Sequence, residues 1–434
     1  MIRYIKLKNY RSFTNLDFNL TGKNDRPLKL AIIYGENGSG KSNIISVFET
    51  LYESFQTMQT KDIIMRLLEE NSHSEYINHL SSLNLYNDVT NIIKENKTVG
   101  SDNNMIIEIG FYLNEKQGTY LLEFDSERIV HEKLEYTLTK NKGLYFDITK
   151  DSARINPSVF MDFKYTFEDK ITKYWGKHSA LSILYNAKEN YTADYFNNNT
   201  SSSFQNLLNY FQSFSIYMSD NDMKYGILAD NNTLSFDEFT SGEINISDNY
   251  KLDITERILN KYFTSMYRDI NSVYYERITT KSSIEYELYF NRFISGKERA
   301  IHYSDESCGT KNLLYLLPYC IAATKGHTVA IDEIDDGIHD VLLINLIKSL
   351  NKDITGQAII TTHNTLLLNE YDIKDAFHFI EINDNGNRTI TTPADYGYRI
   401  QKDSNVMLNY LQNRFKGLPW NDLEIDFKKI AINQ

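Results

Sequence analysis

At 434 residues the chain is long enough for two or three compact units, and 58 acidic against 46 basic side chains leave a formal net charge of −12. That balance argues against a broad nucleic-acid surface, while leaving room for a local basic patch. Cys308 and Cys320 are too few for a disulfide framework or a zinc cluster, no apolar run reaches the roughly 18 residues of a membrane helix, and "MIRYIKLKNY" lacks a signal-peptide core, so a cytoplasmic chain with no membrane partner is expected.

In chain order, "IRYIKL" at 2–7 alternates like an opening strand, and "NYRSF" follows at 9–13. Residues 28–34 form an apolar run that reads as a buried strand, and behind it stands Gly35-Glu-Asn37-Gly38-Ser39-Gly40-Lys41-Ser42-Asn43. This satisfies G-x-x-x-x-G-K-[ST]. Glycines let the backbone curl until several N–H groups face phosphate oxygens, Lys41 reaches the β- and γ-phosphates, and Ser42 holds Mg²⁺. A helix from about Ser42 adds the partial positive charge of its N-terminus. A nucleotide site for ATP with Mg²⁺ is expected here.

A polar helical stretch runs to about Asn96. Four alternating segments between 105 and 149 then read as an antiparallel meander. From about 155 to 275 the pattern is mostly helical and rich in aromatics, with "NNNTSSS" at 197–203 as a flexible loop. Nine acids against two basic residues between 219 and 256 read as a solvated face, and no sustained heptad predicts a coiled coil. A β pattern returns at 282–291. Helix, apolar run, helix and apolar run then alternate, arguing for an α/β fold with a mainly parallel core sheet.

"TVAIDEIDDGIHD" at 328–340 is an apolar strand ending in two acids. Asp332 is placed to hold Mg²⁺ through water opposite Ser42, and Glu333 can polarise an attacking water as general base. His363 follows Asp332 by 31 residues, at the end of the next buried run "IITTHN", where a γ-phosphate sensor belongs.

An Asp-Glu pair followed by a histidine at the next strand end resembles the ABC-type ATPase core, in the branch holding SMC, RecF and OLD-family proteins. That resemblance implies an ABC-type P-loop head with a signature helix that closes on the nucleotide of a second copy. "SDESCGTKNLLYLLP" at 304–318 fits the role: Ser307 and Gly309 open a helix, and Gly309 lies 23 residues before Asp332. It is similar to the E-S-x-G-T-x-x-L form of small stand-alone ATPases of bacterial anti-phage systems, of the PARIS and Septu type. "IKLKNYRSF" resembles the subfamily's first strand, which implies that Arg11 lies near the nucleotide. Residues 403–420 resemble its closing helix, usually ending R-F-G-G-I-P, with Lys416 at the first glycine. His339 fits its I-D-E-I-D-x-x-L-H segment, with Asp340 where proline is usual.

The expected organisation is a lobe at 1–150, a mostly helical insert at 151–281 that can dock a partner, and a second lobe at 282–434. The resemblance implies a homodimer or higher homo-oligomer, and a switch that controls a separate nuclease or toxin effector. An OLD-type nuclease would need an Asp-x-Asp cluster, and the 71 residues after His363 contain none. A RecF-like clamp on nucleic acid remains the alternative.

Overall fold

The computed structural model describes residues 1–70, 88–138, 141–220, 223–228 and 239–418. The chain opens with β1 (Ile2–Tyr10), β2 (Phe13–Asn19), β3 (Leu30–Tyr34) and helix α1 (Lys41–Glu70), followed by α2 (Val89–Asn96). Strands β4 (Met105–Leu113), β5 (Lys116–Phe124), β6 (Ile129–Thr137), β7 (Lys142–Thr149) and β8 (Ala153–Ile155) make the meander. With β1 and β2 they form one antiparallel sheet in the order β2-β1-β4-β5-β6-β7-β8. Register pairs Ile5 with Ile109 and Leu7 with Ile107, so one face of the alternation is mainly apolar and lies against α1.

Helices α3 (Pro157–Phe160), α4 (Phe163–Tyr174), α5 (Ala180–Asn190), α6 (Ala193–Asn198) and α7 (Ser202–Gln212) come next. Expectation and structure differ at two places here. The segment at 197–203 is mostly helix ends, with only 199–201 between α6 and α7: buried Thr200 donates to the Phe196 carbonyl at 2.8 Å, Ser201 caps α7, and the Gln205 amide donates to the carbonyls of Asn197 and Thr200 at 3.0 Å each. After α7 the chain turns extended, as β9 (Phe214–Asp220) and β10 (Met223–Ile227). β9 runs parallel to a core strand, pairing Ile216 with Ala330. A short apolar run cannot be assigned to helix or strand by its own period; its neighbours in space decide.

Then follow β11 (Ser241–Asn245), α8 (Asn249–Met266), β12 (Ile270–Thr279), β13 (Ser283–Ile294) and β14 (Lys297–His302), whose four strands form a small antiparallel sheet. The described residues end with α9 (Cys308–Thr324), β15 (Thr328–Ile331), α10 (Asp340–Asp353), β16 (Gln357–Thr361), β17 (Phe377–Ile382), β18 (Arg388–Thr391) and α11 (Val406–Leu411).

The central sheet has the order β10-β9-β15-β16-β3-β17-β18 and is parallel from β9 to β17, with antiparallel strands at both edges. Its central strands β3, β15 and β16 are buried on both faces: Ala31, Ile33, Ala330 and Ile359 meet the cluster around α1, and Leu30, Ile32, Val329 and Ile360 meet the one around α9 and α10. Buried Gln357 joins the two large sheets, accepting from the Ile2 amide at 2.6 Å and donating to the carbonyls of Ile2 and Leu28. β3, β16 and β15 are adjacent, so the segments leaving their carboxyl ends converge.

The meander is tied to α5 by one carboxylate. Glu132, fully buried, accepts from Tyr120 Oη at 2.8 Å, Trp175 Nε1 at 3.0 Å, and the amides of Ala180 and Leu181 at 2.6 and 3.3 Å. Burial pushes its pKa from 4.5 up to about 7, against the pull of those four donors. Folding therefore raises proton affinity here, and the contribution to stability is fullest below pH 4.5 and declines as pH rises through about 7. Glu132→Ala would strand all four donors and is expected to cost about 3 kcal/mol or more. A melting temperature unchanged from wild type would refute that.

Candidate functional site

The loop after β3 carries its side chains as the motif requires. Gly38 and Gly40 adopt left-handed backbone, with φ of 77° and 106°. A Cβ on Gly40 would also stand 2.8 Å from Ser12 Oγ and 2.9 Å from the Phe13 ring, so the β1–β2 turn fixes the loop from outside. Asn43 donates to Ser12 Oγ at 2.8 Å and adds to the same contact. Asn37 and Gly38 are exposed at the loop tip, and Ser39 is buried beneath it. Lys41 Nζ donates to the carbonyls of Gly35 and Glu36 at 3.0 and 3.1 Å. Burial lowers its pKa, and the carboxylates of Asp332, Glu333, Asp335 and Glu36 oppose that shift, which puts four acids in electrical reach of one amine.

Asp332 directly follows β15, with 1% of its surface exposed. Its Oδ1 accepts from Thr361 Oγ1 at 2.5 Å, while Oδ2 is buried with no hydrogen-bond partner. Ser42 faces this carboxyl without completing a bond to Oδ2, and its hydroxyl, Thr361, Lys41 and His363 pull the Asp332 pKa down less than burial pushes it up. An unsatisfied, buried carboxylate oxygen beside a hydroxyl suits a hard cation, and the pair fits Mg²⁺, which keeps waters and phosphates as its other ligands.

Glu333 has φ of 48°, uncommon for a residue with a Cβ, and its amide donates to Thr361 Oγ1 at 2.8 Å. One threonine on β16 thus orients both acids. Burial raises the Glu333 pKa first, and Asp332, Asp336 and Asp335 raise it further. A carboxyl held in this way can accept a proton from water more readily than a free glutamate.

His363 lies two residues past β16, and its amide is held by both oxygens of Asp335 at 3.2 Å. Thr362 Oγ1 donates to Asp335 at 2.6 Å. The crowded site, and then Lys41, hold the His363 pKa below its ordinary value, against Asp335 and Asp332, which favours neutral imidazole at neutral pH. Asp340, standing where the resemblance leads one to expect proline, accepts from the Asn364 amide at 2.6 Å, and His339 caps α10.

Ser307 caps α9 through the Thr310 amide. Gly309 has no room for a side chain: a Cβ would lie 2.2 Å from the Gly337 carbonyl oxygen. Asn312 donates to the Asp336 carbonyl at 2.6 Å, so the start of α9 is tied to the loop that follows Glu333. From the other side, Arg292 of β13 grips nearly buried Glu306 with Nε and Nη2 at 2.7 and 2.8 Å.

Arg11 stands next to Ser12 in the β1–β2 turn, with φ of 44° and Nε donating to Asn96 Oδ1 at 2.8 Å. Residues 419–420 of the expected closing segment lie outside the described residues. Before them, Tyr410 and Phe415 stack on Phe379, and Lys416 adopts a φ of 49°, a conformation its glycine counterpart would take freely. Reasoning from sequence overlooked the roles of Asp335 and Thr361, although both lie in the segments that carry Asp332 and His363, and overlooked Arg292 and Arg388, which sit in no recognisable motif. No helix among the described residues is long and apolar enough to cross a membrane.

Several solved structures show a distant likeness, each covering 90% of this chain. They are an SMC head bound to the C-winged helix domain of ScpA (13% identity, 96% of that chain, TM-score 0.42), the SMC head domain from Thermotoga maritima (14%, 98%, 0.38), and the Smc head with an extended coiled coil bound to the C-terminal domain of ScpA, derived from Pyrococcus furiosus (12%, 95%, 0.38). No curated protein matches the chain. The family described as "AAA domain, putative AbiEii toxin, Type IV TA system" matches residues 30–369, a span holding the phosphate loop, the Asp332–Glu333 pair and His363, and the chain belongs to this AAA-domain family.

Proposed function

We propose that the chain is an ATP-binding and ATP-hydrolysing switch of a bacterial anti-phage defence system, acting as a homodimer that controls a separate effector. The observation that carries the ATPase reading is the convergence of the phosphate loop, Asp332, Glu333 and His363 at the carboxyl ends of three adjacent strands. In this reading Lys41 and the loop amides bind the triphosphate, Glu333 takes the proton of the attacking water, and His363 donates to the γ-phosphate. Mg²⁺ between Ser42 and Asp332 would offset charge on the phosphate oxygens. Support for defence comes from the form of the Ser307–Gly309 segment and from the AbiEii toxin in the family's description.

Two copies complete each site in this proposal, with Ser307 and Gly309 of one facing the γ-phosphate on the other. Ser307 is exposed at the start of a 17-residue helix, free to meet an anion from outside its own chain. Mixing Lys41→Ala with Ser307→Arg protomers is the test. Each variant alone should be inactive, while the mixture should recover part of the ATPase through the one site with both halves intact. A mixture that stays inactive while both variants dimerise would sink the shared site. ATP-dependent retardation of duplex DNA at stated salt would instead favour the RecF-like alternative.

A further inference from the structure

The geometry points to Arg388 as a positioning residue of the phosphate loop, one that sets the direction of the loop's peptide groups; this rests on the loop being the ATP site. Arg388 begins β18, the edge strand of the central sheet, about 350 residues away in sequence from the loop it touches. Its guanidinium donates to four backbone carbonyls: Ser39 through Nε at 2.8 Å, Gly38 through Nη2 at 3.2 Å, and Ser12 and Gly386 through Nη1 at 3.0 and 3.1 Å. A planar fork with five fixed donors can make all four bonds to three chain segments, whereas an ammonium has only three donors.

The consequence follows from peptide geometry. In a trans peptide the C=O and the next N–H point in opposite directions. With the Gly38 and Ser39 carbonyls drawn to Arg388, the amides of Ser39 and Gly40 point away from it, into the curl of the loop. The Ser39 amide donates to the Glu36 carbonyl at 3.2 Å, the same oxygen that Lys41 Nζ reaches, which marks that side as the interior. Arg388 therefore holds the outside of the loop so that the inside presents donors.

The hairpin that delivers Arg388 is itself fixed. Asn383 Oδ1 accepts from the amides of Asn385 and Asn387, and Thr14 of β2 donates to Asn387 Oδ1 at 3.1 Å. The β1–β2 turn, the phosphate loop and the β17–β18 hairpin thus meet on one side chain.

The test compares wild type, R388A and R388K with ATP and ADP as probes, by equilibrium titration and steady-state turnover. R388A should weaken binding of both nucleotides roughly ten- to a hundredfold, the cost of a misplaced binding group, and raise KM with kcat little changed. R388K should recover part of the affinity. Unchanged affinity in R388A with a lowered melting temperature would overturn the proposal and leave a plain tertiary staple. A fall in kcat without a rise in KM would also overturn it. Should R388A not fold, R388K carries the test alone: affinity equal to wild type would overturn the proposal. A wild-type chain that binds no ATP would remove the ATP-site reading itself, and this proposal with it.

Discussion

Glu333→Gln is expected to slow ATP turnover by about 10²–10⁴-fold while leaving ATP binding intact. The substitution keeps the volume and the backbone of Glu333, so the amide still donates to Thr361 Oγ1 and the unusual φ is still supported from β16. What disappears is the ability to accept a proton. Lys41, Ser42 and Asp332 remain, so the nucleotide should stay bound and a dimer should accumulate in the closed form. The pH profile gives a second reading. Burial and three neighbouring acids raise the Glu333 pKa, so in wild type the rate should fall as pH drops through a value above the ordinary glutamate range. In Glu333→Gln that acid limb should vanish. Steady-state ATPase equal to wild type would remove Glu333 from the role.

The parts of this site that were legible in sequence are the local ones. Gly35 to Ser42 carries its own geometry, since the glycines, the lysine and the preceding apolar run sit within 14 residues. Asp332, Glu333 and His363 were legible for a related reason: an apolar run that stops at an acid or a histidine marks a strand end, where parallel sheets put their chemistry. Groups that depend on the sheet order were not legible. Thr361 orients both acids only because β15 and β16 are neighbours in register. Arg388 reaches the phosphate loop only because β3, β17 and β18 are consecutive in the central sheet. Gly309 looked like part of an anion-binding helix start, yet in this chain the lack of a Cβ is demanded by the Gly337 carbonyl. The strand at 214–220 was hidden for the same reason: its seven residues become β by pairing with β15 on one side and β10 on the other. The meander needed no such help, because strict alternation and short turns specify neighbours in sequence as neighbours in space.

Lys41→Ala is expected to abolish ATP binding without unfolding the chain. A unit charge 4 Å from a phosphate oxygen is worth about 4 kcal/mol at an effective dielectric near 20, which corresponds to roughly a thousandfold in affinity. The triphosphate carries several such charges, and Lys41 is the amine that the loop places among them. The folded state should tolerate the loss better than the ligand does. Lys41 is nearly buried, and burial already lowers its pKa, so its charge is held at a cost that removal would relieve. Two carbonyls, Gly35 and Glu36, would lose the ammonium as donor, while Glu36 keeps the Ser39 amide. Asp332 and Glu333 would lose a compensating cation, so their carboxyls should titrate higher than in wild type. These effects oppose one another, and the ligand-free melting temperature should move little. The discriminating measurement is the shift in that temperature on adding ATP. In wild type, ligand at a thousand times its Kd adds about 4 kcal/mol of stability. The Lys41→Ala chain should show no shift at the same concentration. A shift equal to that of wild type would mean that the triphosphate does not depend on Lys41, and the phosphate-loop assignment would fail with it.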